Sequence, residues 1–453
     1  YSFRLLSYIF SKPREHFLFV YSRKTKKDER TKRKRKKRTM RIEKYAKFFY
    51  DEKVLTWSKR LLTLPGLWPE NPNYFRFFFY VVYVVLFTSL ELIGLFQNLH
   101  DLDKTLRNVT LSLPTVLIIL KALMFRWKMH LVLPILEIVK RDISRGLYQT
   151  DNEREIIVWY NMAATMFTTS SAMSLFFVPT LFYCKPIFEC ILSSFDNCTL
   201  PYELPVRVNY VYEVTDARMY AMFCIWLIPA STVLTVGATG ADSLLVTLTF
   251  YLCGQLSILG NRLKNVNLEM GKHHCEMKLL IDRHAELVRL AMILKNAFSI
   301  LMFVQTLGLI CSLCVVAYQL ITTSENGKDL NTVHFVLYSC AVVLLAFCYC
   351  FLGECLIEES SSIDLGCYLT NWYELPAKEI RSMMFCIARS RRPSYLTAGQ
   401  FYVFSLETFA VVSSTSLFFF FLFHFFFVNE QKRNPSVLFF LFVFTCCVLF
   451  YRS

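Results

Sequence analysis

Long, uninterrupted apolar runs constrain the fold of this 453-residue chain more than any other feature. They lie at about residues 74–96, 111–130, 156–183, 218–250, 293–322, 332–357 and 401–427. Several approach or exceed the roughly 20 residues that an α-helix needs to cross a bilayer. Their apolar residues are continuous and do not alternate, which argues against a β-barrel. The sequence therefore predicts an all-α polytopic membrane protein with seven transmembrane helices.

The basic residues are distributed unevenly along the chain. The net charge is +15, and much of the excess lies between Arg23 and Arg41. Such a block predicts a disordered, solvated tail over residues 1–39, which we expect to be a non-native extension ahead of Met40. At a cytoplasmic membrane surface this tail can contact anionic lipid. No basic domain interleaved with aromatic residues follows it, so nucleic acid is not an expected partner.

Loop charge predicts the orientation of the chain in the membrane. Lys and Arg are concentrated before the first span and in the second, fourth and sixth loops. The N-terminus is therefore predicted to be cytoplasmic. Two glycosylation sequons begin at Asn108 and Asn197, and both fall in loops that this rule places outside. Asn197 is the better candidate, because Asn108 lies close to the membrane.

The sequence carries no pattern typical of an enzyme, and no metal or cofactor is expected. It contains no phosphate-binding glycine loop, no zinc-binding spacing and no nucleophile motif. Cys184, Cys190 and Cys198 share one polar loop, where a single bridge leaves one thiol over, so their pairing stays open. The run Asp282-Arg283-His284 is interpreted as charge on a helix surface.

Acidic residues inside apolar runs are candidates for function, because a charge in the bilayer is costly. Glu91 and Glu354 are predicted to lie at the membrane interface, and Asp242 at the cytoplasmic end of its span. Glu407 has two interpretations. Its carboxylate attracts cations to a pore, or it takes part in a helix cap or an inter-helix hydrogen bond.

The outer halves of the spans are rich in aromatic and sulfur side chains. A pocket for a small volatile molecule is expected to be mostly apolar and polarisable, with few polar groups. The predicted ligand-binding residues are Met173, Phe176, Phe177, Met222, Phe223, Trp226, Phe303, Phe335 and Tyr338. For each of them, ordinary helix packing or lipid contact is the alternative.

Several short motifs follow one another in the last third of the chain. They are Tyr349-Cys350-Phe351 with Gly353-Glu354, then Trp372-Tyr373, Arg389-Ser390-Arg391-Arg392-Pro393, Leu396-Thr397-Ala398-Gly399 and Ser405-Leu406-Glu407-Thr408-Phe409. As a set they resemble the insect odorant receptors, and Gly66-Leu67-Trp68-Pro69 is similar to a segment of hymenopteran members. The resemblance implies a tuning receptor in the plasma membrane of olfactory neuron dendrites. Such a receptor binds a volatile odorant and forms a heterotetrameric ligand-gated cation channel with a co-receptor.

The resemblance also implies how the chain is divided. Residues 40–358 would form six ligand-binding helices with cytoplasmic extensions, residues 359–400 a cytoplasmic anchor, and residues 401–427 a pore-lining last helix. By register, the gate would lie near Leu422 and Phe426. The chain departs from the family beyond Thr415, and we expect residues 428–453 to be an artefactual tail. A gustatory receptor of the same superfamily is the alternative function, followed by a membrane transporter, which inverted repeats would indicate.

Overall fold

The protein is described from a computed structural model, which covers residues 55–97, 100, 102–144, 148, 150–192, 217–265, 273–324, 330–370, 373 and 376–411. The α-helices are α1 Thr56–Thr63, α2 Tyr74–Gln97, α3 Leu102–Lys128, α4 Leu133–Ser144, α5 Asp151–Leu192, α6 Ala217–Lys264, α7 His273–Ser324, α8 Leu330–Tyr368 and α9 Ala377–Ser390. One 3-10 turn, Met129–Leu131, joins α3 to α4. Strands β1 Thr397–Ala398 and β2 Tyr402–Val403 form a hairpin, after which helix α10 begins at Leu406.

Five of the described helices contain apolar stretches long enough to cross a membrane: α2, α3, α6, α7 and α8. Three of these are much longer than a bilayer requires. The 48 residues of α6 extend for about 72 Å at 1.5 Å per residue, whereas the hydrocarbon core is about 30 Å thick. Helix α7 begins 20 residues before the predicted apolar run 293–322 and continues into it without a break. These helices therefore extend well beyond the membrane.

Helix α6 lies at the centre of the described bundle and packs against α1, α3, α5, α7 and α8. All of its residues from 239 to 260 are buried. Two glycines permit close approaches here, because a Cβ on Gly237 would overlap the hydroxyl of Tyr80, and one on Gly240 would lie 3.0 Å from Leu62. Small residues in the middle of α6 thus let α1 and α2 pack directly on its backbone.

A buried polar network joins α4, α6 and α7. The carboxylate of Asp142 is 1% exposed and accepts hydrogen bonds from the Tyr251 hydroxyl at 2.6 Å and from the Arg283 guanidinium. Arg283 also pairs with Glu286, which Arg141 contacts at 2.7 Å. The interpretation of Arg283 and His284 as surface charge was therefore wrong. Arg283 is largely buried in this network, and His284 is 5% exposed.

Candidate functional site

The segment between α9 and α10 forms a short hairpin that is attached to α7. Thr397 pairs with Val403, and Ala398 pairs with Tyr402. Gly399 turns the chain with φ of +62°, a conformation that favours glycine. Its N–H donates to the carbonyl of Ser299 at 2.9 Å, and the Ser299 hydroxyl donates back to the Gly399 carbonyl at 2.9 Å. These two bonds fix the hairpin to α7.

The first turn of α10 is capped from two directions. Ser405 and Thr408 exchange the reciprocal hydrogen bonds of a capping box, each from backbone N–H to side-chain oxygen at 3.1 Å. This arrangement satisfies backbone donors at a helix N-terminus. The carboxylate of Glu354 on α8 accepts a hydrogen bond from the Leu406 N–H at 3.0 Å, where the helix dipole favours negative charge. The start of α10 is therefore tied to α8.

Close packing reinforces this tie between α8 and the start of α10. A Cβ added to Gly353 would lie 2.1 Å from the carbonyl oxygen of Phe404. The Cys350 thiol lies 3.5 Å from the Tyr402 hydroxyl, and the rings of Phe347 and Phe409 meet at 5.6 Å. Because the backbone of Phe404 rests on α8, only glycine fits at position 353. We call the hairpin, Gly353, Glu354 and the start of α10 the junction.

One face of α10 remains uncovered in the described part of the chain. Glu407, Ala410 and Val411 are exposed and lie three and four residues apart, so they share one side of the helix. Phe409 faces the opposite way and is 6% exposed. The cap considered for Glu407 is made by the junction's other residues, and its carboxylate has no ion pair or hydrogen bond with any described residue. Glu407 thus faces away from the rest of the described chain.

A buried ion pair joins α3 to α6. Lys121 Nζ lies 2.6 Å from Asp242 Oδ2, and their side chains are 3% and 6% exposed. The hydroxyl of the fully buried Tyr349 lies close to Asp242 without reaching hydrogen-bond geometry. Asp242 is buried and paired, and its predicted position at the cytoplasmic end of its span stays a prediction. Lys121 was not considered, although a lysine inside an apolar run is itself a signal.

The residues predicted to bind the ligand fall into three sets. Phe335 is buried, and the hydroxyl of the half-buried Tyr338 lies near that of Ser312. Phe303 packs against Phe401 at 5.9 Å beside the hairpin, nine residues and about 13 Å along α7 from Ser312. The third set is on α5 and α6, where Met173, Phe177 and Met222 are exposed. Phe176 packs on Phe177 with 5.8 Å between ring centroids. The side chains of Phe223 and Trp226 lie outside the part of the chain that the structure describes. Phe303 is therefore separated from Phe335 and Tyr338.

The structure describes some of the remaining predicted residues, which concern glycosylation, buried acids, the gate and the cysteines, and leaves others outside. Asn108 is 8% exposed on α3, and its amide donates to the Gly94 carbonyl at 3.0 Å. Glu91 is buried and accepts a 2.6 Å hydrogen bond from Thr115, while its interfacial position in the membrane stays a prediction. The residues Leu422, Phe426, Asn197 and Cys198, and the side chains of Cys184 and Cys190, lie outside the described part of the chain.

A thiol–imidazole cluster lies where α9 packs against α7 and α8. The Cys386 Sγ is 3.6 Å from the Cys367 Sγ and 3.2 Å from the His284 Nδ1. The hydrogen bond from Cys367 lowers the pKa of Cys386; burial opposes this effect and His284 adds to it. Among the residues that the structure describes, no group of three or more His, Cys, Asp or Glu side chains is arranged to hold a metal ion.

Comparison with known proteins identifies relatives of this chain. A family model described as 7tm Odorant receptor matches residues 101–417. Odorant receptor 13a of Drosophila melanogaster is 23% identical over 413 residues, which are 82% of this chain and 95% of the relative. The odorant receptor coreceptor of Ooceraea biroi is 27% identical over 139 residues, 30% of this chain and 28% of the relative. The solved olfactory receptor OR5 of Machilis hrabei in complex with eugenol has the same fold. It aligns with a TM-score of 0.63 and 16% identity, over 82% of this chain and 97% of that one.

Proposed function

Because this chain belongs to the 7tm odorant receptor family, it is an odorant receptor subunit and a multi-pass plasma-membrane protein. We propose the following mechanism for it. It binds a small volatile molecule between its helices and gates a cation channel that it forms with a co-receptor. The ligand named in the OR5 structure and the similarity to coreceptors support this proposal. The same family membership makes the chain a receptor and not an enzyme, and it distinguishes the chain from gustatory receptors and transporters.

The uncovered face of α10 is the observation that carries the channel proposal. The junction holds the start of α10 against α7 and α8, while Glu407, Ala410 and Val411 face outward. When several subunits surround a common axis, a face of this kind lines the pore. A ring that contains Glu407 raises the local concentration of cations, because carboxylates at a pore attract them. The helix that begins at Leu406, within the predicted span 401–427, thus supplies the pore lining in this proposal, with the gate near Leu422 and Phe426.

Ligand binding belongs to the other end of the same helices. Phe335 and Tyr338 on α8, with Ser312 on α7, offer aromatic surface and a hydroxyl pair. Residues of α5 and α6, including Met173, Phe177 and Met222, supply further apolar contacts. A ligand opens the channel only if it binds the open state more tightly than the closed state. Since α8 carries both Tyr338 and Glu354, it is the direct covalent link between the two regions.

Orientation and division of the chain complete the proposal. Basic loops place α9 and the N-terminus in the cytoplasm, with residues 359–400 as the anchor region that follows the ligand-binding helices of residues 40–358. In the structure, α8 ends at Tyr368, within these anchor residues, and α10 begins at Leu406, after them. The anchor helix itself is α9, Ala377–Ser390. Asn197 is the outer glycosylation site.

Co-expression with a co-receptor tests the proposal. Cells are screened with a panel of volatile compounds, and odour-evoked cation current is recorded, with surface expression measured in parallel. Glu407→Gln should keep expression and lower the permeability to Ca²⁺ relative to Na⁺, because a pore carboxylate is lost. Glu276→Gln is the matched control, since Glu276 is exposed at the start of α7, far from α10 in sequence.

Two results would contradict the proposal. Absence of current across the whole panel, with receptor and co-receptor both at the surface, would remove the channel function. An unchanged permeability ratio in Glu407→Gln would remove Glu407 from the pore while leaving the receptor function intact.

A further inference from the structure

A basic cleft of about 820 Å³ opens between the end of α3, the middle of α7 and the hairpin. Its volume is within the range of small-molecule sites. Lys128 lines one side and Lys295 the other, and both are half-buried. None of the residues lining the cleft is acidic. The cleft therefore concentrates positive charge without internal neutralisation.

The two lysines are held in place by aromatic rings. Lys128 Nζ lies 4.7 Å from the ring centroid of Trp127, and Lys295 Nζ lies 4.0 Å from that of Tyr395. Each aromatic ring contacts only one side of the ammonium group. Because an ammonium has three hydrogen-bond donors, the others remain unused by the ring. Neither lysine has an ion pair with a described residue. Both retain donors for an anion that enters the cleft.

Additional donors and apolar walls define the chemistry that fits. The amides of Asn296 and Gln400 line the same space, and both are exposed. Apolar side chains of Trp127 and Ile300 border it and are 67% and 38% exposed. Cations and amides beside exposed apolar surface suit an amphiphile better than a free ion, because the ion gains nothing from the apolar walls.

The position of the cleft identifies the membrane leaflet. Lys128 is the last residue of α3, at the end of the apolar stretch Asn108–Leu131. Exposed Trp and Tyr residues at such an end are typical of a membrane–water interface. The loop that follows is one of the basic loops, which the proposed orientation places in the cytoplasm. Anionic lipids are concentrated in the cytoplasmic leaflet.

We propose that this cleft binds the phosphate headgroup of an anionic lipid of the cytoplasmic leaflet. Lys128 and Lys295 contact the phosphate oxygens, while Asn296 and Gln400 donate to the remaining oxygens. The lipid then bridges α3, α7 and the hairpin that precedes α10. Bound in this way, it stabilises the position of the hairpin on α7, and so the start of the proposed pore helix. The inference rests on the proposed orientation but not on channel activity.

Lipid retention by the purified receptor–co-receptor complex tests the proposal directly. Native mass spectrometry measures how much phosphatidylinositol bisphosphate stays bound, with phosphatidylcholine as the neutral reference. In the double variant Lys128→Gln/Lys295→Gln, the apparent affinity should fall about thirty-fold, as expected for two lysines that each contact the lipid. The double variant Lys59→Gln/Lys278→Gln loses the same charge at exposed positions outside the cleft and should retain the lipid. Lys128→Arg/Lys295→Arg keeps the charge and should also retain it.

Three outcomes would overturn the proposal. Equal retention in both glutamine variants would show that the cleft does not bind the lipid. If soluble inositol trisphosphate, measured by calorimetry, binds as tightly as the lipid, then a free phosphate compound is the ligand. If the cleft variant lowers recovery of the assembled complex while lipid retention is unchanged, a neighbouring subunit occupies the cleft. A variant that fails to assemble is replaced by its arginine counterpart, whose loss of lipid would equally contradict the proposal.

Discussion

Breaking the buried ion pair between Lys121 and Asp242 should destabilise the receptor far more than breaking an exposed one. The two atoms are 2.6 Å apart, and the side chains are 3% and 6% exposed. At an effective dielectric constant of about 20, their attraction is about 6 kcal/mol, and the desolvation of two charges offsets much of it. Lys121→Met removes the attraction and leaves the Asp242 carboxylate buried. Removing one partner of such a pair costs about 3–5 kcal/mol.

Thermal denaturation of the purified receptor complex measures this effect. We expect Lys121→Met to lower the midpoint by on the order of 5 °C. The double variant Lys121→Met/Asp242→Leu should recover most of this loss, because apolar residues of similar volume replace buried pairs at little cost. Lys140→Met is the control, since it breaks the exposed contact of Lys140 with Glu70, whose side chains are 54% and 24% exposed. That change should cost at most about 1 kcal/mol.

The double variant decides whether the reasoning is correct. Strong non-additivity between the two substitutions is expected for groups in direct contact. If the double variant is as unstable as Lys121→Met plus Asp242→Leu summed, the cost arises from lost packing and not from an unpaired charge. If Lys121→Met matches the wild type, the pair is not buried in the assembled receptor.

Three further changes test other parts of the structure. Gly353→Ala should prevent correct placement of the last helix and lower the free energy of unfolding by about 1–3 kcal/mol. Gly260→Ala is the control, because its Cβ would meet its nearest atom at 3.8 Å, and it should be neutral in the same thermal assay. Equal effects of the two variants would contradict the close approach at Gly353. Burial raises the pKa of Glu70, but hydrogen bonds from Lys140 and Trp68 outweigh it and lower the pKa overall. The Lys140 contact therefore stabilises the folded protein above the unfolded pKa of a Glu side chain, about 4.3, and this stability is lost as the pH falls through the folded pKa of Glu70. Lys140→Met should consequently be as stable as the wild type near pH 3. A difference in stability that persists there would contradict the assignment. The lowered pKa of Cys386 predicts that its thiolate persists in the folded protein between about pH 6.5 and 8, where an ordinary thiol is mostly protonated. The ultraviolet thiolate absorbance of the wild type minus that of Cys386→Ser measures it, and a difference that appears only at higher pH would contradict the lowered pKa.

Hydropathy predicted the helices well because it reports a local property. Every apolar run before residue 400 lies mainly within a described helix. The positions at which the helices begin and end were less predictable. Polar residues such as Arg283 continue α7 beyond its apolar part, and they are buried only because Asp142 and Glu286 are close in the folded chain. Composition cannot distinguish such a buried polar extension from a solvated loop.

The junction was predicted as a motif but not as a structure. The motifs around Tyr349 and Ser405 identified the correct residues, yet the last helix was expected from about Phe401 and begins at Leu406. The intervening strands have two residues each, too few for a periodic signal. Their conformation depends on Ser299, about 100 residues earlier in the chain. The pair Lys121–Asp242 was missed for a similar reason, because its partners are 121 residues apart.

Fixing α10 at its first turn has a mechanical consequence. With the Leu406 N–H bound to Glu354 and the hairpin bound to Ser299, the near end of the helix acts as a pivot. A spanning helix of about 20 residues is about 30 Å long, so a tilt of about 5° moves its far end by about 2.6 Å. Displacement therefore grows with distance from the pivot, and the far end can open while the near end keeps all its hydrogen bonds. In the channel proposed above, such a pivot would amplify a small rotation into a change of pore radius.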